Sequence, residues 1–99
     1  MAAFFVTVSL SFRENARPDR KAFAQEMKAL GLGHELVSTE GHPMELPGNI
    51  FAGTVEGQDQ RSVHLRIHEG LNAILQQGAL HGRLLITVSE SPDLSCRFF

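Results

Sequence analysis

The sequence predicts one ferredoxin-like α+β domain over residues 1–99, in which two helices pack on one face of a four-stranded antiparallel sheet. Three observations lead to this fold class. Apolar and polar residues alternate near the N-terminus, two later segments carry apolar residues at helical spacing, and the segments follow one another in the order βαββαβ. With 99 residues the chain has room for one hydrophobic core and not for a second.

The first strand and the first helix have the clearest signals. Between residues 4 and 12 apolar side chains alternate with serine and threonine, which predicts a half-buried strand. A helix is then predicted from about Pro18 to Leu30, because proline suits a first helical turn and Gly31 suits the position after the last one. Asp19 would complement the positive end of the helix dipole.

Weaker signals predict the remaining elements. Gln58 or Asp59 can cap the second helix, which we expect to stop at Gly78. Gly53, inside the third strand, indicates a bulge or a close backbone approach. The later strands are expected at residues 34–38, 49–56 and 83–90, with a turn before the second of them.

Composition restricts the classes of partner. The formal net charge is −2, so the chain as a whole does not attract nucleic acid or acidic membranes, and a site for a polyanion would have to be a local patch. Cys96 is the only cysteine and cannot form an internal disulfide, which fits a reducing cytoplasm. The apolar N-terminal segment lacks the basic start and the cleavage site of a signal peptide. We therefore expect a cytoplasmic protein without a membrane partner.

One basic segment is a candidate RNA or phosphate site. It lies where the first strand meets the first helix, whose N-terminal N–H groups and dipole also favour anions. Arginine suits bidentate phosphate contacts. The alternative is a solvent-exposed loop whose cations form ion pairs with Glu14 and Asp19. The basic residues of this segment are Arg13, Arg17, Arg20 and Lys21.

The second helix carries two histidines, His64 and His68, at a spacing that places both rings on one helical face. Two ligands do not make a metal site, and the two residues border the apolar stripe of the helix. We therefore favour a pair at the helix flank or at a dimer interface, and we predict no metal and no cofactor. The catalytic motif G-x-S-x-G and phosphate-binding glycine loops are absent from the sequence.

The C-terminal residues Phe98 and Phe99 are predicted to be buried, because burying one phenylalanine side chain stabilises a structure by about 2–3 kcal/mol. They could fold back on their own sheet. Alternatively, residues 95–99 form a fifth strand that crosses to a second copy and completes its sheet edge. The second alternative predicts a homodimer with Phe98 and Phe99 in its interface.

The segment Glu40-Gly-His-Pro-Met-Glu-Leu46, followed by Asn49-Ile-Phe-Ala52, resembles a stretch of the GhoS antitoxin family in order and spacing. In that family the stretch lies between the second and third strands. These proteins are small endoribonucleases of toxin–antitoxin pairs, with a ferredoxin-like fold related to the small CRISPR adaptation nuclease. The resemblance covers roughly residues 4–90. It implies a dimer, an RNA substrate and cleavage of a toxin message.

The chain departs from the CRISPR relatives where these carry an acidic metal ligand, at the end of the first strand. The sequence there is Ser11-Phe12-Arg13-Glu14, without an aspartate. This departure counts against metal-dependent cleavage. A metal-free route needs a general base for a ribose 2′-hydroxyl and a cation for the phosphorane. Arginines of the basic segment could supply the cation, but no histidine lies near them in the sequence.

Two classes of function therefore remain open. The first is an RNA-binding or RNA-cleaving antitoxin-like protein, supported by the element order, the resemblance and the basic segment. The second is a non-enzymatic dimeric interaction module, supported by the lack of a complete catalytic set and by the apolar tail. Acylphosphatase-like hydrolysis would rest on Arg13 and Asn15 alone, which is too thin a basis.

Overall fold

A computed structural model describes residues 2–13, 19–37 and 41–90, with Arg20 described by its backbone alone. The expected fifth strand, Cys96 and the pair Phe98 and Phe99 lie outside these residues. The elements in chain order are β1 (Ala2–Phe12), α1 (Arg20–Ala29), β2 (Glu35–Val37), β3 (Pro43–Glu45), β4 (Ile50–Gly57), α2 (Gln60–Gln77) and β5 (Gly82–Ser89).

The main sheet has three strands in the order β4-β1-β5, and β1 pairs antiparallel with both neighbours. Phe4 stands opposite Val55 of β4, and Val6 stands opposite Val88 of β5. The alternation in the sequence thus gives β1 one core face and one open face, as predicted. The α+β class is confirmed, and the arrangement is compatible with a ferredoxin-like fold.

The strand expected at residues 34–38, the fourth of the predicted sheet, pairs differently from the prediction. Of the described residues 34–37, three form the strand β2, which pairs with β3 in the segment interpreted as a turn. This small sheet joins β4 through one bridge, in which Gly33 and Ala52 exchange two N–H···O bonds of 2.9 Å. The short strand therefore forms most of its ladder with its own hairpin partner rather than with the main sheet.

The core lies between one sheet face and both helices. A buried side chain of this kind contributes about 2 kcal/mol to stability. Side chains of α2 also bind the two outer strands: the Gln60 amide donates to the Val88 carbonyl and the Arg66 guanidinium donates to the Glu56 carbonyl, each at 2.6 Å. The core residues are Phe4, Val6, Val8, Leu10, Phe23, Met27, Leu32, Phe51, Val55, Val63, Ile67 and Leu71.

Helix α1 begins later than the sequence suggested. Asp19 is its N-cap rather than a residue of its first turn, and the carboxylate accepts from the backbone N–H groups of Lys21 and Ala22. The helix ends as predicted. Gly31 has φ +88°, its N–H donates to the Lys28 carbonyl, and the next N–H donates to the Met27 carbonyl, which is the Schellman pattern.

Of the two predicted caps of α2, Gln58 and Asp59, the structure has Asp59, whose carboxylate accepts from the Ser62 backbone N–H at 2.7 Å. That hydrogen bond, together with one from the Ser62 hydroxyl, lowers the pKa of Asp59. The helix ends at Gln77 with Gly78 as its C-cap, where the stop was predicted. Gly78 keeps a right-handed conformation, and Ala79 takes the left-handed position with φ +51°. An alanine there carries a steric cost that glycine would not.

Gly53 marks a close backbone approach, one of the two predicted explanations for a glycine inside β4. A Cβ atom built on Gly53 would lie only 1.9 Å from the carbonyl oxygen of Gly31. The turn after α1 therefore rests directly on β4, which no larger residue would permit. Within the described ranges, neither helix has the length and apolar character that a membrane crossing requires.

Candidate nucleic-acid interface

The basic segment of the sequence lies at the end of the fold where β1 stops and α1 starts. Arg13 follows β1 directly and is exposed, and Lys21 is exposed in the first turn of α1. Arg20 is the first residue of α1, and Arg17 lies outside the described residues. The Phe12 and Phe23 rings pack edge to face with centroids 5.9 Å apart, which joins this end of β1 to the first turns of α1.

Strand pairing adds two residues to this end that the sequence did not associate with it. The Arg13 backbone N–H donates to the His81 carbonyl at 2.9 Å, and Arg83 stands directly opposite Ser11. Both His81 and Arg83 are exposed. We call Arg13, His81 and Arg83 the basic corner. The pairing brings a histidine next to two arginines, a residue type that the arginine segment lacks in the sequence.

Gly82 permits the close pairing at the basic corner. It stands opposite Phe12, and a Cβ atom on it would lie 1.9 Å from the Ser11 carbonyl oxygen and 2.8 Å from the Phe12 Cα atom. Any larger residue would push β5 away from β1. Gly82 thus helps to set the distance between Arg13, which follows β1, and Arg83 in β5.

A cavity of about 450 Å³, here the corner cavity, opens beside the basic corner. Its apolar lining includes Leu75, Leu80 and the half-buried Phe12. Its volume falls in the usual range for small-ligand sites, which combine an apolar lining with a few polar groups. The polar side chains lining it are Ser11, Asn72, Gln76, His81 and Arg83.

A second cavity of about 510 Å³, here the hairpin cavity, lies between α1, β4 and the segment that leads into β2. It is lined by Lys28, Glu35, His34 and Phe51 among others. The rings of His34 and Phe51 are 3.9 Å apart between centroids, so this histidine packs against the core. Its lining mixes both signs of charge, which favours no particular ligand.

His64 and His68 lie together on the exposed surface of α2, as their spacing predicted. Their rings are nearly parallel, with an interplanar angle of 19° and centroids 6.3 Å apart. Within residues 2–13, 19–37 and 41–90, no group of three or more His, Cys, Asp or Glu residues is placed to hold a metal ion.

The sheet face opposite the helices is open. Leu85 is 62% exposed there, and most other side chains on this face are threonine, serine or small apolar residues. Across β1, β4 and β5 the only charged residues are Glu56 and Arg83. Such a face offers a surface for a partner, and Glu56 is its one carboxylate among the described strands.

His81 and Arg83 could have been associated with Arg13 from the sequence by combining two predictions. In a βαββαβ order the last strand pairs antiparallel with the first, so the start of one lies beside the end of the other. The register was the missing information.

No protein-family model matches the chain, and no curated protein and no solved structure matches it either.

Proposed function

We propose that this protein binds single-stranded RNA through its basic corner and cleaves it without a metal ion. The observation that carries the proposal is the pairing of β1 with β5, which places His81 and Arg83 beside Arg13. The resemblance of residues 40–52 to the GhoS family supports the same substrate. A cytoplasmic location remains a prediction that accords with an RNA substrate.

The corner suits a phosphodiester for electrostatic reasons. Arg13 and Arg83 carry permanent charges, and arginine can donate two parallel hydrogen bonds to one phosphate. Lys21 belongs to the nearby first turn of α1, whose N-terminus also favours anions. The carboxylate of Asp19, two residues before Lys21, accepts hydrogen bonds from backbone N–H groups of the helix. Among the described residues of this end, cations therefore outnumber carboxylates although the chain has a net charge of −2.

The cleavage step needs one base and one cation. His81 takes the proton of a ribose 2′-hydroxyl, because histidine is the side chain most often used for this purpose. The 2′-oxygen then bonds to phosphorus, the bond from phosphorus to the 5′-oxygen breaks, and that oxygen takes a proton from water. The products are a 2′,3′-cyclic phosphate and a free 5′-hydroxyl. The arginines stabilise the charge that develops on the phosphorane oxygens.

The binding part of the proposal is tested by salt dependence. The double variant R13A/R83A is compared with K28A/R61A, which removes the same charge at exposed positions elsewhere. For single strands each phosphate contact contributes about 0.7 to the slope of log affinity against log salt, so the first variant should lose about 1.4 from that slope. An unchanged slope in R13A/R83A would disprove the site.

The cleavage part is tested with RNA incubated with and without a chelator. We expect cleavage by the wild type in both conditions, with cyclic phosphate ends. H81A should lose at least about a hundredfold in rate, the usual contribution of a general base, while its affinity for RNA is kept. H64A, an exposed histidine on α2, is the matched control. Equal rates for H81A and the wild type would exclude His81 as the base.

A second function, a dimeric interaction module, is favoured by the open sheet face. Glu56 and Arg83 pair with Ala3 and Ser11 of β1, and Thr7 lies midway between these two partners. The two charges therefore occupy diagonally opposite corners of the face. A two-fold axis through Thr7 would bring each Glu56 to the Arg83 of a second copy, which is the self-complementarity of an isologous dimer.

The dimer is tested by sedimentation of charge-swapped variants. E56R should dissociate the dimer, and E56R/R83E should restore it, because the swapped charges again face each other. E69R makes the same change on the outer face of α2 and should have no effect. A wild type that stays monomeric at high concentration would end this proposal. Since Glu56 is far from the basic corner, E56R should leave RNA affinity undiminished.

A further inference from the structure

The corner cavity has features that the phosphate site does not use. Arg83 and His81 line it, but so do Asn72 and Gln76 of α2 and several apolar side chains. We propose that this cavity is a base-binding subsite that takes one unstacked adenine of the RNA whose phosphate lies at the basic corner. The inference rests on the proposed function and extends it from backbone binding to recognition of a base.

The two amides provide the means of recognition. Asn72 and Gln76 are four residues apart on α2, so their side chains project from the same helical face over consecutive turns. Both are exposed, and neither side chain has a hydrogen-bond partner within the part of the chain that the structure describes. Asparagine and glutamine can accept from and donate to N6 and N7 of adenine at the same time. Among the Hoogsteen edges of the four bases, only that of adenine presents a donor beside an acceptor.

The apolar lining of the cavity provides the stacking surface. Proteins that read single-stranded RNA hold splayed bases against aromatic side chains or arginine planes. Phe12 lines the cavity, and its edge-to-face contact with Phe23 holds the ring in place. Leu75 and Leu80 complete the apolar surface. A base that enters from the basic corner would thus leave water for an apolar surface while its polar edge meets the amides.

The experiment measures binding of labelled uridine nonamers in which the central base is U, A, C or G and every ribose is 2′-O-methylated, so that the proposed cleavage cannot occur. For the wild type at low salt we expect the adenine oligomer to bind about fivefold more tightly than the others, the low end of what one bidentate base contact provides. N72A/Q76A should lose this preference and keep the affinity for the all-uridine oligomer. Alanine suits an exposed helix, so the variant is expected to fold. Q77A, next to the cavity wall but outside the lining, is the control.

The outcomes separate the subsite from the proposed function. Equal binding of the four oligomers, or a preference that survives in N72A/Q76A, overturns the subsite while leaving the phosphate site in place. Absence of all RNA binding overturns the proposed function and the RNA subsite together. A direct probe adds an independent check: adenosine monophosphate should shift the backbone resonances of residues 72–76 in NMR spectra, whereas ribose 5-phosphate should not. Equal shifts with both probes would also contradict a base subsite.

Discussion

The corner cavity and the hairpin cavity have similar volumes, about 450 and 510 Å³, and each is lined by a histidine and a basic residue. They differ in how the histidine is held. His34 packs on Phe51 with centroids 3.9 Å apart, so its ring is part of the core boundary. His81 is exposed beside two arginines. The residue types that line a cavity therefore do not by themselves identify a binding site. The surroundings of the imidazole decide whether it can contact a ligand.

A row of aromatic rings connects the two cavities. Phe12 lines the corner cavity and its ring contacts that of Phe23. The Phe23 ring contacts Phe51 with centroids 5.6 Å apart, and the His34 ring packs on Phe51. Edge-to-face pairs of this kind are worth about 0.5–1.5 kcal/mol beyond their burial. The row supplies an aromatic lining residue to each cavity, Phe12 to one and Phe51 to the other. Stability changes should therefore be large at the hairpin cavity and small at the polar groups of the corner cavity.

The largest effect is expected from Gly53→Ala, which acts beside the hairpin cavity. The new methyl group would meet the Gly31 carbonyl oxygen, so β4 and the turn after α1 would have to separate. We expect a loss of about 3 kcal/mol in the free energy of unfolding, measured in urea. Gly33→Ala, where a Cβ atom meets nothing within 4 Å, is the control. Equal stabilities of the two variants would contradict the close approach.

The two histidines provide the next comparison. His34→Ala removes a half-buried ring from Phe51 and should cost about 1 kcal/mol. His81→Ala removes an exposed ring and should change stability by less than about 0.5 kcal/mol. Thermal or urea unfolding of both variants decides the matter. A larger loss for the second variant would make His81 a structural residue and weaken its assignment as a base.

A gain in stability is expected from Ala79→Gly at the rim of the corner cavity. Glycine accepts the left-handed conformation that Ala79 adopts at φ +51°, so the variant should be more stable by about 0.5–1 kcal/mol. The same substitution at Ala73, inside α2, should destabilise the protein by about 1 kcal/mol, because glycine weakens a helix interior. A loss of stability at both positions would argue against the left-handed turn.

The smallest effect is expected at the start of α2, at the opposite end of the helix from the corner cavity. The lowered pKa of Asp59 means that the ionised carboxylate is more stable in the folded state than in the unfolded state. Its contribution is complete above the unfolded pKa, about 4, and is lost as the pH falls through the lower folded value. The stability difference between wild type and Asp59→Asn should therefore shrink below about pH 4. A difference that does not change with pH would exclude this linkage.

Particular residues show how far the candidate site could be predicted. Arg13 and Lys21 were identified because basic residues that follow a strand and open a helix are visible in the linear sequence. His81 and Arg83 were missed, since their place beside Arg13 depends on the register of β1 and β5. Asn72 and Gln76 were missed for a related reason: an exposed amide on a helix has no local signal until a cavity forms next to it.

The sequence by itself determined the local features of this protein. Alternation in β1 and the stop at Gly31 depend on neighbouring residues and were found where they were predicted, and Asp59 is one of the two caps predicted for α2. Only the tertiary structure decided that β2 pairs chiefly with β3, that Ala79 rather than Gly78 turns left-handed, and that His81 meets the arginines. These outcomes depend on strand register and on packing between residues far apart in the chain. Such contacts form only in the folded molecule, and there they outweigh local propensities.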